Sequence, residues 1–66
     1  MVKINNKEEL NNAKQAKEIE IERNRNFKGQ LVIEDYSELE KLYLRDVKKV
    51  DKITLKNLSR LQECTI

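Results

Sequence analysis

The sequence predicts a mainly β fold with a short N-terminal helix, in which a β-solenoid has about 22 residues per coil and strands on two sides. Two observations carry this prediction. Apolar residues recur at a sequence spacing of 11 from Leu31 to Ile66, and opposite charges recur at a spacing of 22 in the same stretch. A third observation, the spacing of Asn6 and Glu9, predicts where the helix begins.

The apolar repeat is clearest when the chain is divided into units that begin at Leu31, Leu42 and Ile53, followed by a partial unit at Cys64. Apolar residues occupy positions 1, 3, 6 and 9 of each complete unit. Apolar alternation followed by apolar residues three apart is typical of a solenoid, because each coil buries its inner face only by stacking on the next coil.

Each unit could form a whole coil or half of one, and the charged residues distinguish these arrangements. Residues stacked on adjacent coils lie about 4.8 Å apart, so opposite charges are favoured there and like charges are penalised. A spacing of 11 stacks like charges, such as Asp35 on Asp46. A spacing of 22 stacks only opposite charges: Glu34 with Lys56, Glu38 with Arg60, and Lys41 with Glu63. We therefore predict a coil of about 22 residues with two strands.

Residues 1–18 are interpreted as a polar N-terminal segment with a capping helix. A short strand can start at Val2, and Asn6 with Glu9 then forms a capping box at the start of the helix. The helix is predicted over residues 7–17, where it covers the first coil. The alternative is a frayed tail, because isolated helices of this length are marginal in water. The apolar stripe of the helix consists of Leu10, Ala13 and Ala16.

Residues 19–66 are predicted to form the solenoid, with two sets of strands. One set comprises residues 19–22, 42–45 and 64–66, and the other comprises residues 31–33 and 53–55. The repeat slips before Leu31, because Ile19 precedes it at a spacing of 12 rather than 11. Gly29 is expected to absorb the extra residue in a bend or bulge, since glycine adopts positive φ without cost.

The length and composition restrict what the chain can do alone. Its 66 residues form at most one domain, and so small a domain needs a further source of stability, such as oligomerisation. One cysteine forms no internal disulfide, and without histidine a structural zinc site is not expected. The net charge of only +2 predicts no strong attraction to nucleic acid or to a membrane.

The N-terminal sequence lacks the apolar region of a signal peptide, and no stretch approaches the roughly 20 apolar residues that cross a bilayer. Together with the single thiol, these features predict a soluble protein in a reducing, intracellular setting, namely the cytoplasm. No cofactor is predicted.

The spacing of the apolar residues in 19–66 resembles that of the leucine-rich repeat family. The pattern hxxLxxLxL occurs twice, at Tyr36, Leu39, Leu42 and Leu44 and again at Leu58, Leu61, Cys64 and Ile66. The start of the region matches LxLxxN at Ile19, Ile21 and Asn24. Val47 departs from the family, which usually has at this position an asparagine that bonds the turn backbone, so only Asn24 carries that role.

The resemblance implies a protein-binding role, because the strand-lined concave face is where such proteins usually bind partners. In this chain that face would present Glu20, Glu22, Tyr43, Arg45 and Thr65. Tyrosine and arginine are the residue types that contribute most at interfaces. Two coils form a small face, which favours weak binding or a part of a larger surface.

The residues that could carry chemistry also have simpler structural explanations. Cys64 stands at a leucine position, which favours core packing over a reactive thiolate, since no histidine is present to serve as its base. Glu20 and Glu22 share one strand face, as carboxylates on a solvated surface often do. The basic segment 45–60 could meet phosphates, but solvated lysines that discourage edge pairing are the favoured explanation. The aromatic stacking platforms that single-stranded nucleic acid needs are missing from the sequence pattern. We therefore predict no catalytic or metal site, and we do not expect nucleic-acid binding.

Two functions follow from these expectations. The first is a non-catalytic protein-protein interaction module of the leucine-rich-repeat type. The second is a self-assembling structural or signalling filament, because the sequence stops inside a predicted strand, where Cys64, Thr65 and Ile66 would offer unpaired backbone and an apolar row. The expected partner is another protein or a second copy of the chain, and no membrane is involved.

Overall fold

The computed structural model describes residues 1–23 and 25–66, which contain one short helix and six strands. The strands are β1 (Val2–Lys3), β2 (Glu18–Glu22), β3 (Gly29–Glu34), β4 (Lys41–Arg45), β5 (Val50–Lys56) and β6 (Glu63–Thr65), and the helix is α1 (Lys7–Asn12). They form two small parallel sheets, in the orders β1-β2-β4-β6 and β3-β5. The prediction of a mainly β fold with a short N-terminal helix is therefore confirmed. No helix in the described part of the chain has the length and apolar character needed to cross a bilayer.

Strand pairing follows the spacing that the charges predict. Leu31 of β3 faces Ile53 of β5, at a sequence spacing of 22. Leu42 of β4 faces Cys64 of β6 at the same spacing, and Ile19 of β2 faces Leu42 at a spacing of 23. Among β2 to β6, the strands that pair are thus two units apart in the sequence, and the alternative stacking at a spacing of 11 is wrong.

Gly29 marks the irregular point of the repeat. Its φ is +71°, and the strand register changes between Gly29 and Gln30. The unpaired residue lies in the facing strand, however, because Gly29 faces Val50 whereas Gln30 faces Lys52, so that Asp51 has no partner in the register. A bulge is therefore present beside Gly29, where glycine accommodates the positive φ at little cost, but its extra residue is Asp51, so the prediction that Gly29 absorbs an extra residue of its own strand is wrong.

A residue with left-handed backbone follows each of β2, β3, β4 and β5. These residues are Arg23, Asp35, Asp46 and Asn57, with φ values of 49°, 64°, 52° and 54°. Each stands directly after the last residue of its strand. Aspartate and asparagine tolerate this conformation better than most residues, because their short polar side chains can bond locally. Asn24, to which the resemblance assigns a turn-bonding role, lies outside the described residues.

The predicted capping interaction of α1 is present. The Asn6 side-chain oxygen accepts a hydrogen bond of 2.8 Å from the Glu9 backbone N–H. The Glu9 carboxylate in turn accepts one of 3.1 Å from the Asn5 backbone N–H, one residue before the position that a capping box requires. The start of the helix is thus confirmed.

The helix is shorter than predicted, because it ends at Asn12 rather than at residue 17. After Asn12 the chain turns, with hydrogen bonds from the Ala13 N–H to Leu10 and from the Ala16 N–H to Ala13. Only Leu10 of the predicted apolar stripe is fully buried. The two alanine side chains bury too little surface to hold further helical turns, since a short helix depends on packing for its stability.

One apolar cluster joins the two sheets and α1. Its buried members are Ile4, Leu10, Ile19, Ile21, Phe27, Leu31, Ile33, Tyr36, Leu39, Leu42 and Leu44. The cluster becomes less protected towards β6, where Leu58 and Leu61 are only partly buried. Cys64 is exposed, although it faces the buried Leu42, because it lies at the uncovered edge of the cluster. The predicted core position of Cys64 is therefore wrong.

The predicted strand 64–66 also needs a correction. β6 begins one residue earlier and ends at Thr65, which faces Tyr43 in the last pair of the β4-β6 register. Ile66 lies beyond the strand and is 70% exposed. No strand neighbour fixes its backbone, so it does not complete the apolar alternation of the last unit.

Candidate functional site

The five residues that are predicted to bind a partner lie on one face of the β1-β2-β4-β6 sheet. Buried and less buried residues alternate along β2 and β4, so their charged and tyrosine side chains point away from the core. The register places Glu20 beside Tyr43 and Tyr43 beside Thr65, and it places Glu22 beside Arg45. We call this surface the outer face, and it consists of Glu18, Glu20, Glu22, Lys41, Tyr43, Arg45, Glu63 and Thr65.

Tyr43 lies at the centre of the outer face. Its hydroxyl donates a hydrogen bond of 2.8 Å to the Glu63 carboxylate, and the Arg45 guanidinium lies 5.9 Å from the centre of its ring. The hydrogen bond to Glu63 is the main cause that raises the pKa of Tyr43, and burial adds to it. Tyr43 therefore stays neutral at physiological pH, and its side chain contacts Glu63 and Arg45.

Ion pairs connect neighbouring strands of the outer face. Lys41 lies 3.9 Å from Glu63, and Lys3 of β1 lies 4.0 Å from Glu20. Such exposed pairs contribute little to stability. The strand sequences themselves give the face an acidic row on β2 and a basic row around Tyr43 on β4, which gives a partner a pattern of charges to match.

The sequence did not indicate the contact between Tyr43 and Glu63. Stacking at a spacing of 22 pairs Lys41 with Glu63, and this predicted pair is present. Tyr43 is two residues further along β4 and reaches Glu63 diagonally, because diagonal neighbours remain within reach of long aromatic side chains. The spacing of 20 between them is a signal that could have been found only after the strands had been paired.

A second predicted charge pair lies away from the outer face, in the turns that connect the two sheets. Arg60 approaches Glu38 to 3.5 Å between its guanidinium and the carboxylate. In the other sheet, Glu34 and Lys56 face each other in the strand register. The opposite charges at a spacing of 22 therefore mark residues that are neighbours in space.

The basic segment 45–60 contributes to an open cleft. The cleft is lined by Arg23, Arg25, Asp46, Lys48 and Lys49. The carboxylate of Asp46 lies 3.6 Å from Arg23 and neutralises part of the positive charge. Among the described residues, no group of three or more histidine, cysteine, aspartate or glutamate side chains is arranged to hold a metal ion.

The apolar cluster is exposed at one end of the molecule. We call this surface the end face, and it includes Ile53, Leu55, Leu58, Leu61, Cys64 and Ile66. Ile66 and Leu55 are 70% and 37% exposed. The predicted self-association residues Cys64, Thr65 and Ile66 are all exposed at this end.

The opposite end of the cluster is covered by α1. The Tyr36 hydroxyl donates a hydrogen bond of 2.5 Å to the Leu10 carbonyl, and the Lys14 ammonium donates one of 2.7 Å to the Glu34 carbonyl. β1 covers the free edge of β2 through pairing of Val2 with Ile19. The two ends of the cluster thus differ, because one is capped and the other is open.

Comparison of the chain with protein-family models, with curated proteins and with solved structures finds no match. The fold itself defines a small, mainly β protein with two parallel sheets, a charged outer face and an open apolar end. The resemblance to leucine-rich repeats remains a prediction.

Proposed function

We propose that the chain is a non-catalytic protein-protein interaction module of the leucine-rich-repeat type, built as a small β-solenoid of about 22 residues per coil. The observation that supports it best is the strand register. Partners at sequence spacings of 22 or 23 lie side by side in both sheets, which aligns Glu20, Tyr43 and Thr65 in one row across three strands. A partner that binds along this row would contact several coils at once.

The side chains of the outer face favour a protein as the partner. With Lys3 of β1, which pairs with Glu20, the face carries four carboxylates and three cations, so it offers a phosphate backbone no net attraction. Tyr43 offers a ring that contacts Glu63 and Arg45, and tyrosine and arginine are the residue types that contribute most at interfaces. The compartment that we propose is the cytoplasm, where a lone cysteine stays reduced.

The outer face can be tested by site-specific crosslinking in cells. A photoreactive group placed at Glu22, an exposed residue of the outer face on β2 and away from β6, should capture a protein partner, and the change of Tyr43 to alanine should abolish capture because it removes the central ring. Lys52→Ala is the matched control, since Lys52 is exposed on β5 of the other sheet. If no crosslinked protein depends on Tyr43, the proposed binding surface is wrong.

A second candidate function is a structural or signalling filament built by end-to-end stacking. The open end face supports it, because exposed apolar residues beside an unpaired strand edge favour association. A filament also requires that the capped end accept the end face of the next copy. Electron microscopy at increasing protein concentration should then show particles that grow in length.

A further inference from the structure

The two strands at the end face, β5 and β6, carry side chains that are complementary to each other. The end face is formed by the free edges of β5 and β6, which a turn over residues 57–62 connects. Leu55 and Ile53 of β5 point towards the core, because they face Ile33 and Leu31 in the register. Cys64 of β6 does the same, because it faces the buried Leu42. Each strand edge thus offers apolar residues on the inner side and polar residues on the outer side.

The difference between the two ends of the molecule determines which assembly this face can make. An open stack requires that each end face meet the opposite end of the next copy, but α1 and β1 cover that end. An isologous contact uses the same face twice and needs no other surface. The structure therefore favours a closed pair over a filament.

We propose that the end face binds the end face of a second copy, and that β5 of each copy runs antiparallel to β6 of the other. Residues directly opposite each other in an antiparallel pair lie on the same side of the sheet. The register that we propose places Leu55 opposite Cys64 on the inner side. It extends β6 by one residue, so that Ile66, which lies beyond the strand in the single chain, is ordered on the inner side opposite Ile53. It places Lys56 opposite Glu63 on the outer side.

This register is the one that satisfies both apolarity and charge. Both inner positions of β5 meet apolar residues, and the ammonium of Lys56 meets the carboxylate of Glu63. A shift by two residues, with Ile53 opposite Cys64, would place Thr54 opposite Glu63 and leave Leu55 without an apolar partner. The charge pair thus selects the same register as the apolar pairs.

The connection between the two strands is consistent with this arrangement. β5 ends at Lys56 and β6 begins at Glu63, so in the proposed coil these two residues lie at the same level along the strand direction. A two-fold axis parallel to the strands therefore places Lys56 of one copy opposite Glu63 of the second copy, and Glu63 of the first opposite Lys56 of the second. This step rests on the proposed solenoid, in which β5 and β6 are the two sides of one coil.

The contact is small, and we expect a weak dimer. Because the contact is only one coil wide, we expect it to bury less area than the roughly 800 Å² per partner of stable interfaces. We expect a dissociation constant on the order of 100 µM. Sedimentation equilibrium between about 10 µM and 1 mM should show a monomer that converts to a dimer.

Two matched variants test the location of the interface. Ile66 and Val32 are both exposed apolar residues, 70% and 45%, but Val32 lies on the outer side of β3, away from the end face. Ile66→Lys should abolish the dimer, because the lysine would be buried against the second copy, whereas Val32→Lys should leave it unchanged. Because both side chains are exposed in the single chain, neither change should prevent folding, and circular dichroism checks this.

The register is tested by a crosslink. Leu55→Cys should form an intermolecular disulfide with Cys64 of the second copy under mild oxidation, which gives a covalent dimer on a denaturing gel. Val32→Cys should give none beyond the wild-type level. A folded protein that stays monomeric at about 1 mM overturns the proposal, as do particles larger than a dimer. A dimer without the Leu55→Cys crosslink overturns the register.

These outcomes are separable from the test of the outer face. Tyr43→Ala removes the hydrogen bond from the Tyr43 hydroxyl to Glu63 but leaves the Glu63 carboxylate free to meet Lys56 of the second copy, so it should not weaken the dimer. Loss of partner capture with an unchanged dimer supports both proposals. A missing dimer with Tyr43-dependent capture contradicts the dimer alone.

Discussion

The side-chain amide of Asn57 donates a hydrogen bond of 2.8 Å to the Asp35 carboxylate, and both residues have left-handed backbone conformations. They follow β5 and β3, which pair in one sheet, so their turns lie side by side. Arg23 and Asp46 repeat this relationship at the ends of β2 and β4, with an ion pair of 3.6 Å. Equivalent turns are thus joined by side chains as well as by strand pairing.

The first prediction concerns this stacked turn. Asn57→Ala should lower the free energy of unfolding by about 1 to 2 kcal/mol, because alanine tolerates the left-handed conformation less well and the hydrogen bond is lost. Asn57→Gly loses only the hydrogen bond, which is exposed, and should cost about 0.5 kcal/mol. Urea denaturation measures both. Equal losses in the two variants would show that backbone conformation is not the main cause.

A second prediction tests the attachment of α1. Tyr36→Phe should lower the free energy of unfolding by about 1 kcal/mol, because it removes the buried hydrogen bond to the Leu10 carbonyl. The cost should not reach the upper range for an unpaired buried group, since Leu10 also accepts from the Ala13 N–H. Tyr43→Phe, at a less buried site, is the control and should cost less. No loss in Tyr36→Phe would mean that the hydrogen bond contributes nothing to the attachment of α1.

The third prediction is a dependence on alkaline pH. Burial raises the pKa of Tyr36 in the fold above its ordinary value of about 10. The neutral form is therefore favoured in the folded state, and its contribution to stability is full below pH 10 and is lost as pH rises through the folded pKa. Urea midpoints measured from pH 8 to pH 11.5 should fall steeply above pH 10. The fall should be shallower in Tyr36→Phe, and an unchanged slope would contradict the assignment to Tyr36.

The sequence predicted the pairing of the strands because charge stacking carries that information. Glu38 with Arg60 and Lys41 with Glu63 are close in the structure, at the spacing of 22 that the charges indicated. The apolar periodicity alone gave a repeat of 11 residues, and it could not show whether paired strands are one repeat or two repeats apart in the sequence. The outer face followed from the same register, since Tyr43 lies on the side opposite to the buried residues of β4.

What the sequence did not predict depends on the surroundings of each residue. Cys64 stands in an apolar position, but burial requires a further layer over it, and the pattern cannot show whether that layer is present. The length of α1 depends on how much apolar surface of the helix is buried against the core. The sequence does not show whether the two alanines bury enough surface to extend the helix. The left-handed turns could have been predicted, because aspartate or asparagine recurs at Asp35, Asp46 and Asn57.

The last prediction tests the stacking of charges directly. Glu38→Lys and Arg60→Glu should each lower the free energy of unfolding by a few tenths of a kcal/mol, and the double swap should recover most of the loss, because the pair is restored in reverse. The matched control is a cycle between Glu38 and Lys49, which stand at a spacing of 11 and should not be coupled. Both cycles are best measured by urea denaturation at low salt, since screening weakens an exposed pair. Coupling of Glu38 to Lys49, with none to Arg60, would contradict the strand register and with it the alignment of the outer face.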